Sequence, residues 1–215
     1  MQIFQPDRFL LAAFVAAHAK ELTGNLLDVG GGNGKRYRAL FPHVTTYKTL
    51  DPDLAAQPDI VGVAEQIPLP DASVDSILCT EMLMDCLHPE QAIAEMARVL
   101  KPGGTLLLSA SFMGALYNEP HNFWRFTPYS LERLLQPYFS SIALERRGGY
   151  FALRTQQRVR YLIERFDLYH RPLLGRMVSL WSAVFGRLAI ARDRRDDSKA
   201  NRKFAIGYHL TARRA

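Results

Sequence analysis

The sequence predicts an α/β fold, a mostly parallel sheet with helices on both faces. Three observations predict it. Short apolar runs alternate with helix-patterned segments through the first two thirds of the chain. The first strand-like run, "NLLDVG" (25–30), breaks directly into a glycine turn, "GGGNG" (30–34). The next, "TYKTLD" (46–51), ends in Asp51, 23 residues after Asp28. Strands that are apolar throughout belong to a sheet buried on both sides.

The elements follow in order. After the first strand, Lys35 to Phe41 is expected to be helical and to stop near Pro42. The run 46–51 is the second strand, "DIVGV" (59–63) a short third, and "VDSILCTE" (74–81) a fourth. Pro89 to Leu100 places Ile93, Met96, Ala97 and Leu100 on one helical face. "KPGG" (101–104) is expected to end that helix, and "TLLLSAS" (105–111) is the fifth strand. Thr127-Pro128 opens another helix, threonine as N-cap and proline in the first helical position. "SIALERR" (141–147) and "FAIGYHLTAR" (204–213) complete the strands, and there are no repeats.

At 215 residues and 48% hydrophobic, the chain suits a single domain, 1–215, with a sizeable core. Two cysteines, Cys79 and Cys86, allow no disulfide framework, which suits a reducing, cytoplasmic setting. The apolar stretch Phe9–Ala17 is preceded by Asp7 and Arg8, not by the positive start of a signal peptide, and is expected to be an amphipathic helix. Net charge is +6, but residues 150–203 carry +8 and the remainder −2. The basic character therefore belongs to one late segment. No nucleic-acid-binding module accompanies it, so nucleic acid is an unlikely partner.

The glycine turn narrows the ligand. A phosphate-binding P-loop fails, because Arg36 follows Gly34-Lys35 and Val29 stands where its first glycine belongs. The dinucleotide fingerprint also fails: Gly30, Gly32 and Gly34 are one residue short, with Lys35 in the third glycine's place. Asp28 would repel a pyrophosphate over the turn and attract an ammonium, directly or through water. S-adenosylmethionine carries an ammonium and a sulfonium and no phosphate. An acid closing the second strand, Asp51, suits ribose hydroxyls in either cofactor class.

From Leu26 to Ser111 the chain resembles a class I S-adenosylmethionine-dependent methyltransferase of the type 11 group. "LLDVGGGNG" is similar to the family's first motif, "GVAEQIPLPDASVDSIL" (62–78) to its adenine-side segment and fourth strand, and "EMLMDCLHPEQAIAEMARVLKPGGTLLLS" (81–109) to the helix and fifth strand that follow. The match covers about 40% of the chain. The resemblance implies a Rossmann-like seven-stranded sheet of order 3-2-1-4-5-7-6 with strand 7 antiparallel. It implies S-adenosyl-L-methionine as cofactor, with Gly30 and Gly32 along its methionine part, Asp51 on the ribose, Ala64 offering its N–H to adenine and Cys79 touching the cofactor from strand 4; Asp28 completes the set. Val63 replaces the family's usual adenine-binding aspartate, one charge-assisted hydrogen bond worth about 1.5–3 kcal/mol, for which Glu65 is a substitute. Met84-Asp85 replaces a common Glu-His pair.

Methyl transfer is an in-line displacement, so alignment supplies much of the catalysis, and a base is needed only where the acceptor loses a proton. The acceptor-side candidate is "YNEPHNFWRFTP" (117–128), with His121 as base and Arg125 for an anionic group; the alternative is that the aromatics anchor the loop and both polar residues are structural. The expected reaction is transfer of methyl to an oxygen or carbon of a small-molecule, lipid or glycan acceptor. The alternatives are a cofactor-binding protein without turnover and, disfavoured by the glycine spacing, a nicotinamide dehydrogenase.

Residues 150–203 separate the last two strands and read mostly as helix, a lid or cap on the acceptor side; a peripheral membrane contact or a homodimer interface is the alternative. Leu173, Leu174, Met177, Leu180, Trp181, Val184, Phe185, Leu188 and Ile190 fall close to one broad apolar face there, with Arg176 and Arg187 nearer its edges. Arg176 and Arg187 interrupt the run and argue against a membrane span. "ARDRRDDSKANRK" (191–203) is expected to be a solvated loop.

Overall fold

A computed structural model describes residues 3–215. Seven strands, β1 (Asn25–Val29), β2 (Thr46–Asp51), β3 (Ile60–Val61), β4 (Val74–Thr80), β5 (Leu100–Ser111), β6 (Phe139–Arg147) and β7 (Gly207–Arg214), form one sheet in the order β3-β2-β1-β4-β5-β7-β6. The first five pair in parallel, and β7 runs antiparallel to both β5 and β6. This is the order expected from the sequence. Parallel pairing brings the carboxyl ends of β1, β2, β4 and β5 to one edge, where open α/β sheets bind ligands.

Successive strand residues divide between two cores, as the period of two requires. Leu27, Ile77, Cys79, Leu106 and Leu108 pack with Ile93 and Met96 of α2 (Pro89–Val99) and with Leu131 and Leu135 of α3 (Pro128–Leu135). Leu26, Leu78 and Leu107 pack on the other face, against Leu11, Phe14 and Val15 of α1 (Pro6–His18). Each such buried leucine or isoleucine stabilises the fold by about 1.5–3 kcal/mol. The Phe9–Ala17 stretch therefore lies within an amphipathic helix on the sheet.

Three local expectations need correction. Residues 35–41 form no α-helix; one 3-10 turn, Arg38–Leu40, takes their place. Gly34 at φ +71° turns the chain, its carbonyl accepts from the Tyr37 and Arg38 N–H groups, and Tyr37 and Phe41 sink into the α1-side core. Too few residues remain before Pro42 to offset helix nucleation. "KPGG" is not a loop after α2 but part of β5, opposite a shift of register between Val74 and Ser76. The third strand shrinks to two residues.

Between β6 and β7 the chain forms α4 (Tyr150–Phe166), α5 (Pro172–Arg195) and α6 (Lys199–Arg202). The segment expected to be a solvated loop is largely helical, because two of its side chains cap α4. The buried Asp193 carboxylate accepts from the N–H groups of Gly149, Phe151 and Ala152 at 2.9, 3.1 and 2.8 Å, and Asn201 Oδ1 accepts from Tyr150 at 2.8 Å. A carboxylate there satisfies the first N–H groups of the helix and opposes its dipole. Arg176 and Arg187 do not interrupt α5, which by length and composition alone is long and apolar enough to cross a membrane.

Candidate cofactor site and acceptor cavity

The glycine turn leaves β1 with Gly30, Gly32 and Gly34 at φ +75°, +53° and +71°. A side chain at Gly30 would lie 2.7 Å from Met82 Cβ, and one at Gly31 would strike the Asp28 carboxylate. Only glycine keeps this turn close to its surroundings. Asp51 reaches across from β2: its Oδ2 accepts from Gly32 N at 3.0 Å and its Oδ1 from Asp53 N at 3.0 Å. Asp28, Gly30, Gly32 and Asp51 thus converge at the carboxyl ends of β1 and β2. Ala64 is buried in the turn after β3, beside them through the Asp51–Val61 pairing.

Asp28 is 1% exposed. The Tyr47 hydroxyl donates to its Oδ2, while its Oδ1 is buried with no hydrogen-bond partner. Burial pushes its carboxyl up to about 7, against the opposing Tyr47 hydrogen bond. No helix N-terminus stands behind the glycines, only the 3-10 turn. A pyrophosphate would lack the dipole and N–H cluster that normally hold it. An orphaned carboxylate oxygen and a glycine cradle without a helix fit a cationic ligand better than a dinucleotide.

Cys79 is fully enclosed between β1 and β5, and burial raises its thiol well above the ordinary range. Its side chain belongs to the α2-side core rather than to the open edge. Glu65 is engaged elsewhere, its Oε1 accepting from Leu87 N at 2.9 Å and from His88 N at 3.4 Å. It braces the entry to α2. Val63 is 44% exposed, so the position of the missing aspartate is open to solvent.

A cavity of about 230 Å³ lies next to the turn, over the ends of β4 and β5. Asp7 and Arg8 of α1, Arg36 after the glycines, Glu81 after β4, Ser111, Met113, Gly114, Ala115 and Tyr117 at and after the end of β5, and Gln156, Gln157 and Arg160 of α4 all contribute to its wall. A larger cavity of about 340 Å³ lies between α1 and α5 over β6 and β7, away from the glycines. Beneath the smaller one is a buried ion cluster. Arg147 has no side-chain exposure, with Nη1 at 2.6 Å from Glu81 Oε1 and Nε at 3.0 Å from Asp7 Oδ1. Burial pushes the Asp7 carboxyl up, against the attraction of Arg147. Asp7, Glu81 and Arg147 carry no sequence signal. Only their neighbours in space identify them.

The loop after β5 is anchored as the structural alternative describes. Phe123 and Trp124 N–H groups donate to Met84 O, and Trp124 Nε1 donates to Cys86 O at 3.0 Å. Arg125 spends its guanidinium on Trp124 O, Ala115 O and Asn122 Oδ1. His121 is exposed, its ring edge-on to Phe123 at 6.3 Å, and does not line the cavity. Asp85, in the place of the family's histidine, accepts from Asn122 Nδ2 at 2.7 Å and Asn118 Nδ2 at 3.2 Å and ties the same loop down.

Residues 27–108 match the family described as "Methyltransferase domain", which bears out the resemblance over that stretch. An uncharacterized methyltransferase of Mycobacterium bovis is 41% identical over 91 residues, 38% of this chain and 37% of that one. The malonyl-[acyl-carrier protein] O-methyltransferase of Serratia marcescens is 34% identical over 102 residues, 42% of this chain and 40% of that one. The matched region thus spans about two fifths of these curated relatives. Among solved structures, the [4+2]-cyclase SpnF is similar in fold, with TM-score 0.61, 20% identity, and 96% of this chain and 80% of that one covered. A fold shared with a cyclase fixes architecture, not reaction.

Proposed function

We propose that the chain is an S-adenosylmethionine-dependent methyltransferase that methylates an oxygen or carbon of a small-molecule, lipid or glycan acceptor held in the cavity over β4 and β5. One observation carries this reading. The Asp28 and Asp51 carboxylates and the Gly30–Gly32 cradle, with no helix N-terminus behind them, adjoin a polar cavity at the same sheet edge. The bound cofactor supplies an electrophilic methyl on a sulfonium. Asp51 accepts from ribose hydroxyls, Asp28 balances the ammonium, and the glycine backbone lets the methionine part approach. Cys79 contributes through the wall of β4, since its side chain is enclosed. Arg8, Arg36 and Arg160 suit an acceptor bearing a carboxylate or phosphate. Asp7, which lines the cavity and whose carboxyl burial raises, is the candidate base in place of His121, which does not line it.

Calorimetry separates the readings. We expect S-adenosylhomocysteine to bind at micromolar level or weaker and NAD not to bind. Binding of NAD alone would overturn the cofactor assignment. Loss of radiolabelled methyl to a screened panel of anionic acceptors then separates an enzyme from a binding protein without turnover.

A further inference from the structure

The apolar face of α5 was expected to close over the acceptor. It does not. The helix buries its small residues, with Ser182 Oγ donating to Phe4 O at 2.9 Å and Gly186 against the Phe4 ring. Its large residues face outward: Leu173, Leu180 and Val184 are 77%, 70% and 56% exposed. At 100° per residue, Leu173, Met177, Leu180, Val184 and Leu188 form one stripe, opposite the buried Gly175, Ser182 and Gly186. The contact with the acceptor cavity is made by α4 instead.

Beside this stripe runs a groove between α4 and α5, lined by Arg154, Arg158 and Arg192 together with Phe151, Trp181 and Phe185. None of the three arginines has a carboxylate within 4.0 Å among the described residues. Arg192 rests on the Phe151 ring at 3.9 Å. Apolar surface and unpaired guanidinium groups therefore share one outer face.

We propose that the α4–α5 face seats the protein on an anionic lipid bilayer. The stripe enters the headgroup–acyl boundary, and Arg154, Arg158 and Arg192 meet lipid phosphates. Three observations select this occupant. An apolar stripe with Trp and Phe beside arginine is the composition of an interfacial helix. The 150–203 segment carries +8, so a second copy docked face to face would set like charges together, whereas an anionic surface would neutralise them. A transbilayer course for α5 is opposed by its packing, because the Asp193 carboxylate near its end is buried as the cap of α4. The helix lies along the surface. Since α4 presents Arg154 and Arg158 to the groove and Gln157 and Arg160 to the cavity, this one helix separates the cavity from the proposed lipid-facing side.

The test is co-sedimentation of the full chain with vesicles of phosphatidylglycerol and phosphatidylcholine, and of phosphatidylcholine alone. No cofactor is needed, so the outcome is independent of the methyl-transfer reading. We expect binding to the anionic vesicles at low salt, at least tenfold weaker binding to the neutral ones, and a loss as salt rises. The surface variants L180D/V184D and R154E/R158E should each weaken binding at least tenfold while circular dichroism and thermal unfolding match the parent. Absence of anionic-vesicle binding at low salt by the folded chain would overturn the proposal. So would binding that neither folded double variant reduces, or a dimer in sedimentation velocity that L180D/V184D dissociates, which would assign the face to a second copy.

Discussion

Arg147 Nη1 lies 2.6 Å from Glu81 Oε1, at a position with no side-chain exposure. The pair joins the last residue of β6 to the residue that leaves β4. Glu81 sits at φ +53°, a backbone conformation disfavoured for a side chain. It is held there from several directions: its N–H donates to Ser109 O, its Oε1 also accepts from Ser109 Oγ at 2.8 Å, and its carbonyl accepts from Tyr117 Oη at 3.0 Å. Strain held by surrounding contacts at the mouth of a cavity is a usual mark of a functional position. Arg147 brings the charge that lets both Glu81 and Asp7 stay there.

Replacing Arg147 by alanine should cost about 3–5 kcal/mol of stability, because it leaves two carboxylates without their buried counter-charge. Arg147→Lys should recover part of that, keeping the charge and losing the two-pronged contact. Urea unfolding followed by circular dichroism measures both. Equal loss in the two variants would show that the fork geometry, not the charge, holds the cluster.

Asp28 gives the site a pH dependence. Its carboxyl is raised by burial from an ordinary 3.8 to about 7. The folded state therefore keeps a proton that the unfolded state has released, and the stability from this residue is full below about 4, declines as pH rises toward 7, and stays reduced above. The whole effect is on the order of 4 kcal/mol as an upper bound. Asp28→Asn, whose amide oxygen can still accept from Tyr47, should be more stable than the parent at pH 8 and lose that advantage near pH 4. In the proposed role the same ionised carboxylate would balance the cofactor's ammonium, so S-adenosylhomocysteine affinity in the parent should fall below pH 7 and stay flat in the variant. A parent affinity indifferent to pH between 5 and 8 would separate Asp28 from the ligand.

The sheet was legible because its central strands carry short buried apolar runs, Leu26-Leu27, Ile77–Cys79 and Leu106–Leu108, and its two acids stand at the ends of β1 and β2; both signals are local. Asp51 and the glycines could be placed for the same reason. The acceptor side could not. Asp7, Glu81 and Arg147 come from three distant parts of the chain and meet only in the fold. Asp193 and Asn201 sat in what composition marked as a charged loop, and only the unsatisfied N–H groups at the start of α4 explain their burial. The direction of the α5 apolar face was hidden for a different reason. Hydrophobic period locates a stripe but not which stripe is buried, and close helix packing here selected the small residues.

Asp51→Ala should weaken S-adenosylhomocysteine binding at least tenfold, about 1.4 kcal/mol. Asp51 also accepts from Gly32 and Asp53 N–H groups, so the loss has two sources. Asp51→Asn separates them: it can still accept one backbone bond while losing the charge-assisted contacts to the hydroxyls. Titration calorimetry showing parent-like affinity in both variants would remove Asp51 from the ribose role. Gly30→Ala should be worse than either for folding, since the new side chain meets Met82 and the backbone is at φ +75°.

Val63 offers the most direct test of the adenine side. The family's aspartate is absent there, and the substitute suggested by the sequence, Glu65, is occupied with the Leu87 and His88 N–H groups. Val63 is half-exposed and bridges only to Gln66, so an acid can be placed at this position without burying a charge. Val63→Asp should therefore leave stability within about 0.5 kcal/mol of the parent. If the valine is a missing contact, the new carboxylate accepts from the adenine amino group and adds about 1.5–3 kcal/mol, a tightening of roughly tenfold to a hundredfold. The comparison with a ligand whose purine lacks that amino group isolates the contact: the gain should appear for S-adenosylhomocysteine and vanish for its inosine analogue. Weaker binding of both ligands by a folded Val63→Asp would show instead that the purine rests on an apolar wall at this position, and that the site has been rebuilt around it.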